Sequence, residues 1–242
     1  MISEVTVLAY YFRSLKDDAE GFHTLSQAIR ETWKHCGKLN TIVVANEMLP
    51  SVVAFAKENE NVEIQIESSL KPGDIQSMSN DCNGKLYTRF NTPYVLIVQD
   101  DGYPLRAGLE EFVGKYDFIG APYIRDVWWK NLICGVLGYW VQNGGFSLRS
   151  KRICEAAARY WNEKYAEKLI GDPAAAEDLF YTQYLPLHER IYRRSFKLAT
   201  NRESLRFSWD ALVPIRPPKV MPFGFHRMNS LDILMDSTSN LV

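Results

Sequence analysis

Residues 94–102 read YVLIVQDDG, and this stretch decides the fold. Its first five residues are all apolar, mostly β-branched or aromatic, which is typical of a strand buried on both faces of a sheet. Two adjacent carboxylates, Asp100 and Asp101, follow that strand almost at once. In open parallel sheets, ligands bind beyond the carboxyl ends of the strands. The stretch therefore predicts a central strand that leads into a binding site.

Upstream of this strand, apolar runs alternate with amphipathic segments. Strands are predicted at 5–12, 41–45 and 62–66, and helices at 17–36, 50–58 and 75–90. Gly37 follows the first helix as a stop signal, and Pro50 opens the second. Strands that alternate with helices predict an α/β, Rossmann-like fold with a mostly parallel central sheet flanked by helices.

Downstream of residue 102 the regular alternation of predicted strands and helices ends. A strand is predicted at 116–119, a turn at 142–145 followed by residues 146–150, and helices at 151–169 and 177–184. Internal repeats, low-complexity tracts and a clear linker are all absent from the sequence. We therefore predict a single domain over 1–242, with a nucleotide-binding half at 1–102 and an acceptor-facing half at 103–242.

Composition and charge exclude several classes of protein. The 242 residues are 46% hydrophobic and 24% charged with a net charge of -1, so the basic footprint of a nucleic-acid-binding protein is missing. No apolar run reaches the roughly 18 residues of a membrane span. A signal peptide would have a basic region before its apolar stretch, and the first predicted strand has none. The four cysteines form no CxxC pair, which indicates reduced thiols and a cytoplasmic protein.

The nearest approach to a membrane-seeking segment is Trp128–Val141, which is aromatic and interrupted by glycines. It is too short to span a bilayer, and peripheral contact with the inner face of the membrane is left open beside packing against the core. We also expect this segment to be a mobile element on the acceptor side that closes over a bound donor.

Four groups of polar residues are candidates for chemistry. Asp100 and Asp101 repel each other, and a divalent cation that bridges to diphosphate oxygens would compensate, although a solvated acidic loop is the alternative. In the stretch Asn143-Gly144-Gly145 the paired glycines would let the backbone approach a ligand closely, although Asn-Gly is also a strong turn dipeptide.

The other two groups lie further along the chain. Glu177 and Asp178 open a predicted helix, where the helix dipole alone would explain two carboxylates and a general base is the functional alternative. His226 closes the segment PFGFH, and a lone histidine of this kind is more often structural than a ligand.

Five motifs in order carry a resemblance that none of them would carry alone. They are QDDG at 99–102, YDFIGAP at 116–122, NGGFSLRS at 143–150, EDLF at 177–180 and PFGFH at 222–226. This set resembles a family of microbial glycosyltransferases, and is distantly similar to the β-1,4-galactosyltransferases. The resemblance covers roughly residues 94–226 and implies a GT-A fold.

Position by position, the resemblance implies a role for each motif. Asp101 matches the last acid of the DxD element and His226 the later histidine, which implies that both bind a metal. Gln99 replaces the first acid of that element, and Asp100 is its middle position. The loop Asn143–Gly145 would line the donor and acceptor, and Asp178, beside Glu177, would be the catalytic base.

The resemblance thus implies a metal-dependent glycosyltransferase that transfers a sugar from a nucleotide-diphosphate donor, a UDP-sugar being favoured, to a hydroxyl of a cell-surface glycan or glycolipid. Mixed carboxylate and imidazole ligation favours Mn²⁺ over Mg²⁺. A single base with direct displacement implies inversion, and a retaining outcome stays open. Two other classes stay open. A nucleotidyltransferase would carry a Gly-rich loop after the first strand, and residues 11–16 (YFRSLK) contain no glycine. A non-catalytic sugar-binding module of the same fold would bind without turnover.

Overall fold

In a computed structural model of the chain, the structure describes residues 3–123, 141–211 and 220–239. Six strands form the central sheet: β1 (Val5–Tyr11), β2 (Thr41–Ala45), β3 (Val62–Ile66), β4 (Tyr94–Ile97), β5 (Phe118–Tyr123) and β6 (Val141–Ser150). Their order across the sheet is β3-β2-β1-β4-β6-β5. The first four strands pair in parallel, and β6 runs antiparallel to both β4 and β5. The predicted α/β fold with a mostly parallel central sheet flanked by helices is confirmed.

The inner strands of the sheet are buried on both faces because helices pack against each face, whereas the edge strand β3 is partly exposed. Along β1 every residue is buried, with Leu8 and Tyr10 on one face and Ala9 and Tyr11 on the other. Successive side chains of a strand point to opposite faces. This is why β1 and β4 appear in the sequence as continuous apolar runs rather than as alternating patterns.

Nine helices are present in the described residues: α1 (Asp18–Cys36), α2 (Pro50–Glu58), α3 (Ile75–Gly84), α4 (Lys151–Tyr160), α5 (Glu177–Leu179), α6 (Leu185–His188), α7 (Arg190–Ser195), α8 (Asn201–Phe207) and α9 (Met228–Ser239). Short 3₁₀ turns lie at Leu15–Asp17, Leu86–Thr88, Leu109–Glu111 and Pro173–Ala175. The start of α8 is fixed by a capping box between Thr200 and Glu203. None of the described helices is long and apolar enough to cross a membrane.

A second, two-stranded sheet lies beyond α8. Strand β7 (Ser208–Asp210) pairs in parallel with β8 (Gly224–His226), so that Asp210 stands opposite His226. The segment that follows Gly102 also bonds to β8, because the Phe225 amide donates to the Tyr103 carbonyl at 3.3 Å. These bonds bring the PFGFH segment beside the end of β4.

Three predicted helices end or change earlier than the periodicity indicates. The helix predicted at 75–90 ends at Gly84 and gives way to a 3₁₀ turn. The helix predicted at 151–169 widens into a π-helical turn at Trp161–Tyr165. The helix predicted at 177–184 has a π-helical turn at Phe180–Tyr184 and continues into α6. Both π-helical segments begin and end with an aromatic residue, and π-bulges are frequent near functional sites.

The prediction of a turn at 142–145 is wrong, because β6 continues through it as a ten-residue strand. Pairing with neighbours on both sides holds the strand together, whereas a hairpin would leave it at an edge. A local irregularity remains where the turn was expected. The Asn143 side chain accepts from the Gly145 amide at 2.7 Å, and the register with β5 shifts between Gly120 and Pro122. Asn-Gly-Gly here produces a bulge rather than a reversal.

The predictions made for Trp128–Val141 concern residues that, up to 140, lie outside the described part of the chain. Cys134 lies there as well. The other three cysteines, Cys36, Cys82 and Cys154, are buried free thiols, as expected of reduced core residues.

Candidate functional site

A cleft of about 360 Å³ opens at the carboxyl ends of β1 and β4. Every predicted site residue except Gly144 lines it: Gln99, Asp100, Asp101, Asn143, Gly145, Glu177, Asp178 and His226. These side chains come from four separate stretches of the chain. The sheet order places the end of β4 between β1 and β6, and β8 approaches from beyond the sheet. The cleft therefore occupies the position that a parallel α/β sheet offers to a ligand.

Asp101 and His226 face one another within this cleft. The imidazole Nε2 of His226 lies 3.6 Å from Oδ1 of Asp101. The Arg227 amide donates to the Asp101 carbonyl at 2.6 Å, which ties the loop after β4 to the end of β8. Arg227 has φ of 73°, the one positive value among the described non-glycine residues. Such a backbone conformation persists only where its surroundings hold it.

A third residue, Asp210, stands behind the imidazole. Its Oδ2 lies 3.0 Å from Nδ1 of His226 and accepts from Nε of Arg227 at 3.2 Å. Asp210 is fully buried at the end of β7. Sequence reasoning missed this residue, because the stretch SWD at 208–210 carries no motif and its proximity to His226 arises only from the pairing of β7 with β8.

Gly145 leaves room for the polar groups at the floor of the cleft. A Cβ atom at this position would stand 2.2 Å from Oε1 of Gln99 and 2.6 Å from Nε2 of His226. Contacts below 3.0 Å are not tolerated, so the missing side chain is what allows both groups to converge on one point. Gln99, whose amide also reaches Met78 Sδ at 3.8 Å, is thereby held beside His226.

Asp100 points toward the other side of the cleft, where β1 ends. Its Oδ2 lies 3.9 Å from the guanidinium of Arg13, and both side chains are partly exposed. Burial and the neighbouring Asp101 carboxylate raise the pKa of Asp100, and Arg13 offsets part of that rise. Two carboxylates so placed attract positive charge, and Arg13 is a cleft residue that no sequence motif indicated.

The adjacent carboxylates Glu177 and Asp178 occupy different environments. Glu177 is buried, accepts from the Ser79 hydroxyl at 3.1 Å, and lies 3.6 Å from the guanidinium of Arg149, which is fully buried. Asp178 is half-buried, and its Oδ1 accepts from the Leu179 amide at 2.7 Å. Glu177 is therefore a buried member of the cleft lining that is paired with Arg149, while Asp178 is the more accessible of the two.

The absence of a side chain at Gly144 leaves room for the carboxylate of Glu177 beside Arg149. A Cβ at this position would stand 2.0 Å from Oε1 of Glu177 and 2.7 Å from Arg149. The carbonyl of Gly144 also accepts from Arg149 and from Ser147. Gly144 thus lies against the Glu177–Arg149 pair, one layer behind the cleft that Gly145 lines.

Comparison with known proteins identifies a family. Residues 73–226 match the family described as "Protein of unknown function (DUF5672)". The chain belongs to this family. The match begins just before α3 and ends at His226, so it spans all the predicted site residues. No curated protein matches the chain.

Solved glycosyltransferase structures are similar in fold. Mouse xyloside xylosyltransferase 1 in its apo form matches with a TM-score of 0.57 at 9% identity, over 93% of this chain and 98% of that one. The galactosyltransferase LgtC, in complex with donor and acceptor sugar analogs, matches with a TM-score of 0.51 at 11% identity, over 92% of this chain and 87% of that one.

A third match is partial. The mannosyltransferase Ktr4p from S. cerevisiae in complex with GDP gives a TM-score of 0.46 at 10% identity, and the aligned region covers 75% of this chain but only 63% of the length of that protein. At such identities a likeness shows the fold alone. The fold is of the GT-A type expected from the motifs.

Proposed function

We propose that this protein is a metal-dependent glycosyltransferase that moves a sugar from a nucleotide-diphosphate donor, a UDP-sugar being favoured, to a hydroxyl of a glycan or glycolipid acceptor. The observation that carries the proposal is the convergence of Asp101 and His226 in a cleft beyond β4. The solved structures of similar fold support it, since their names are those of a xylosyltransferase and a galactosyltransferase, the latter bound to donor and acceptor sugar analogs.

The two facing side chains fit a divalent cation. Two atoms that each stand about 2.1 Å from one ion lie at most about 4.2 Å apart, and Oδ1 of Asp101 and Nε2 of His226 are 3.6 Å apart. The described residues contain no cluster of three or more His, Cys, Asp or Glu side chains that would complete a metal site. Asp101 and His226 would therefore share the ion with donor oxygens and water, and mixed ligation of this kind favours Mn²⁺.

A bound cation would offset the negative charge that gathers on the departing diphosphate. The chain's own residues would bind and orient the donor around it. The guanidinium of Arg13 at the end of β1 is a further positive group within the cleft. Gln99 offers an amide in place of the acid found in the DxD element, so the site carries one negative charge fewer and repels a diphosphate less.

Asp178 is the residue we propose as the general base. It lines the cleft and is half-buried, whereas the carboxylate of Glu177 is buried against Arg149. A base must reach the acceptor hydroxyl, and the partly exposed carboxylate is better placed for that than one buried against a guanidinium. One base with direct displacement at the anomeric carbon gives inversion of configuration.

The decisive experiment measures donor turnover in purified, metal-stripped protein. UDP-glucose, UDP-galactose, UDP-N-acetylglucosamine and GDP-mannose are each supplied with Mn²⁺ or with EDTA, and melting temperature and nucleotide release are recorded. Binding of one donor should raise the melting temperature by mass action. His226→Ala should weaken the dependence of turnover on Mn²⁺ without unfolding the protein, and His23→Ala, which removes an exposed histidine on α1, should leave that dependence unchanged. Turnover that EDTA leaves unchanged would show the metal site to be wrong.

The same assay separates the two alternatives. A nucleotidyltransferase would release pyrophosphate from a nucleoside triphosphate and a sugar phosphate, whereas a glycosyltransferase releases a nucleoside diphosphate from the sugar donor. A non-catalytic module would show the rise in melting temperature without any release. The acceptor, cytoplasmic location and peripheral membrane contact stay predictions, to be tested by acceptor arrays and by fractionation of cells.

A further inference from the structure

We propose that Asp210 is a positioning residue, which holds the imidazole of His226 in the one tautomer and orientation that can bind a cation. The inference rests on the proposed function, because it assigns a role to a residue behind the proposed cation ligand. Neither the five motifs nor the family match gives Asp210 a role.

The hydrogen bond between Asp210 and His226 determines which imidazole nitrogen carries the proton. Nδ1 of His226 lies 3.0 Å from Oδ2 of Asp210, and the same oxygen accepts from Nε of Arg227. Because an ionised carboxylate can only accept, Oδ2 of Asp210 accepts from both groups. The proton of the neutral imidazole then resides on Nδ1, and Nε2 presents its lone pair to Asp101 across 3.6 Å.

The imidazole of His226 has little freedom to turn away from Asp210. Asp210 is fully buried and His226 is 5% exposed. The two residues are direct partners in the register of β7 and β8. The strand neighbours Trp209 and Phe225 are buried as well, and the ring of Phe225 lies 4.7 Å from that of Tyr103. A flipped ring would turn a C–H toward the buried carboxylate, and the other tautomer would turn a lone pair toward it, so either change loses this hydrogen bond.

Asp210 bears on both candidate ligands, His226 and Asp101. Arg227 donates its side chain to Asp210 and its backbone amide to the Asp101 carbonyl. The left-handed backbone of Arg227, with φ of 73°, makes these two bonds possible from one residue. The carboxylate therefore orients His226 directly and the Asp101 loop through Arg227. Metal-binding histidines commonly donate their other nitrogen to a carboxylate in this way.

The test compares Mn²⁺ affinity in Asp210 variants with that in a matched pair. Asp210→Asn removes the charge, and Asp210→Ala removes the charge and the acceptor. Asp117→Asn and Asp117→Ala are the controls, because Asp117 is also buried and bound by an arginine, Arg152, but does not line the cleft. Binding of Mn²⁺, alone and with UDP, is measured from the electron paramagnetic resonance of the free ion.

We expect the Asp210 variants to bind Mn²⁺ about 10- to 100-fold more weakly, the usual effect of losing such a partner. The Asp117 variants should lose stability but keep wild-type affinity. Asp210 variants that fold, as shown by circular dichroism, and bind Mn²⁺ as tightly as the wild type would overturn the inference while the metal site itself stands.

A second measurement needs no variant of Asp210. Long-range ¹H–¹⁵N spectra at a pH where imidazole is neutral distinguish the protonated nitrogen from the free one in each of the four histidines, and His226→Ala identifies the relevant signal. The Nδ1–H tautomer is expected. The Nε2–H tautomer in the wild type would refute the positioning role even if every Asp210 variant failed to fold.

Failure of the proposed function produces a different result. Wild-type protein that binds no Mn²⁺, with or without UDP, would overturn the metal site and this inference together. Wild-type protein whose affinity drops in His226→Ala but not in Asp210→Ala would leave the proposed function intact and remove only the role of Asp210.

Discussion

Replacing Glu177 by glutamine should destabilise the protein far more than replacing its neighbour Asp178 by asparagine. Glu177 supplies the carboxylate that lies 3.6 Å from Arg149, a guanidinium with no exposure to water. Within the described residues, Nη1 of Arg149 has no hydrogen-bond partner. Glutamine keeps the shape of the side chain and removes its charge, so Glu177→Gln would leave a buried cation uncompensated.

The loss of stability in Glu177→Gln depends on the contacts that Arg149 would keep. Breaking one partner of a buried ion pair costs about 3–5 kcal/mol. Arg149 would keep its bonds to Ser147 and to the Gly144 carbonyl. It would also keep its positions 4.9 Å from the ring of Phe118 and 5.0 Å from that of Tyr181. We therefore expect the lower end of the range, about 3 kcal/mol, or a fall in melting temperature of about 6–12 °C.

Urea unfolding followed by circular dichroism measures the free energy of unfolding for each variant. Asp178→Asn should stay within about 1 kcal/mol of the wild type, as expected for a half-buried residue. The double variant Arg149→Met/Glu177→Gln should be more stable than Glu177→Gln alone, because the stranded charge is gone. A loss of under about 1 kcal/mol in Glu177→Gln would refute this reasoning, since the helix dipole alone accounts for a change of that size.

Three further outcomes can be checked. Asp178→Asn should reduce sugar transfer by about 10²- to 10⁴-fold with donor affinity within a few-fold, measured by steady-state kinetics and donor titration, and near-normal transfer would point to another base. Gly145→Ala should lower the free energy of unfolding, measured in urea, by about 1–3 kcal/mol. It should also weaken Mn²⁺ binding, because the added Cβ would displace Gln99 or His226. A variant that binds Mn²⁺ with wild-type affinity would contradict this prediction. Hydrogen bonds from Ser69, Lys85 and Arg89 outweigh burial and lower the pKa of Glu67 to about 2. The stability that Glu67 contributes is therefore complete above its unfolded pKa and is lost as pH falls from about 5 toward 2, so acid titration of Glu67→Gln should show a flatter slope there.

The sequence predicts the parallel half of the fold well, and the reason is physical. The strands 41–45 and 62–66 and the helix 50–58 agree with the structure at both ends. Each of these segments is decided by its own residues, through apolar runs and through Pro50 at a helix start. The carboxyl-edge rule then places Asp100 and Asp101 correctly without knowledge of any side-chain contact.

Where long-range pairing decides, the sequence was insufficient. Asn143-Gly144-Gly145 has the local chemistry of a turn, and it stays extended because the residues before and after it pair with β5, and those after it also with β4. The buried environment of Glu177 depends on Arg149, which belongs to β6. Asp210 becomes significant only once β7 pairs with β8. None of these partners is near its counterpart along the chain, so no local pattern can reveal them.

The pairing of β8 with β7 also bears on when the site comes into being. Protein chains emerge from the ribosome from their N-terminus onward at about 5–20 residues per second. Tyr10, Gln99 and Asp178 all precede His226, so the walls of the cleft are synthesised well before the imidazole that completes it. Until Phe225 packs against Tyr103, the nascent chain holds an acidic pocket without its histidine. The proposed cation site would thus be completed late in the synthesis of the molecule, by a strand of three residues.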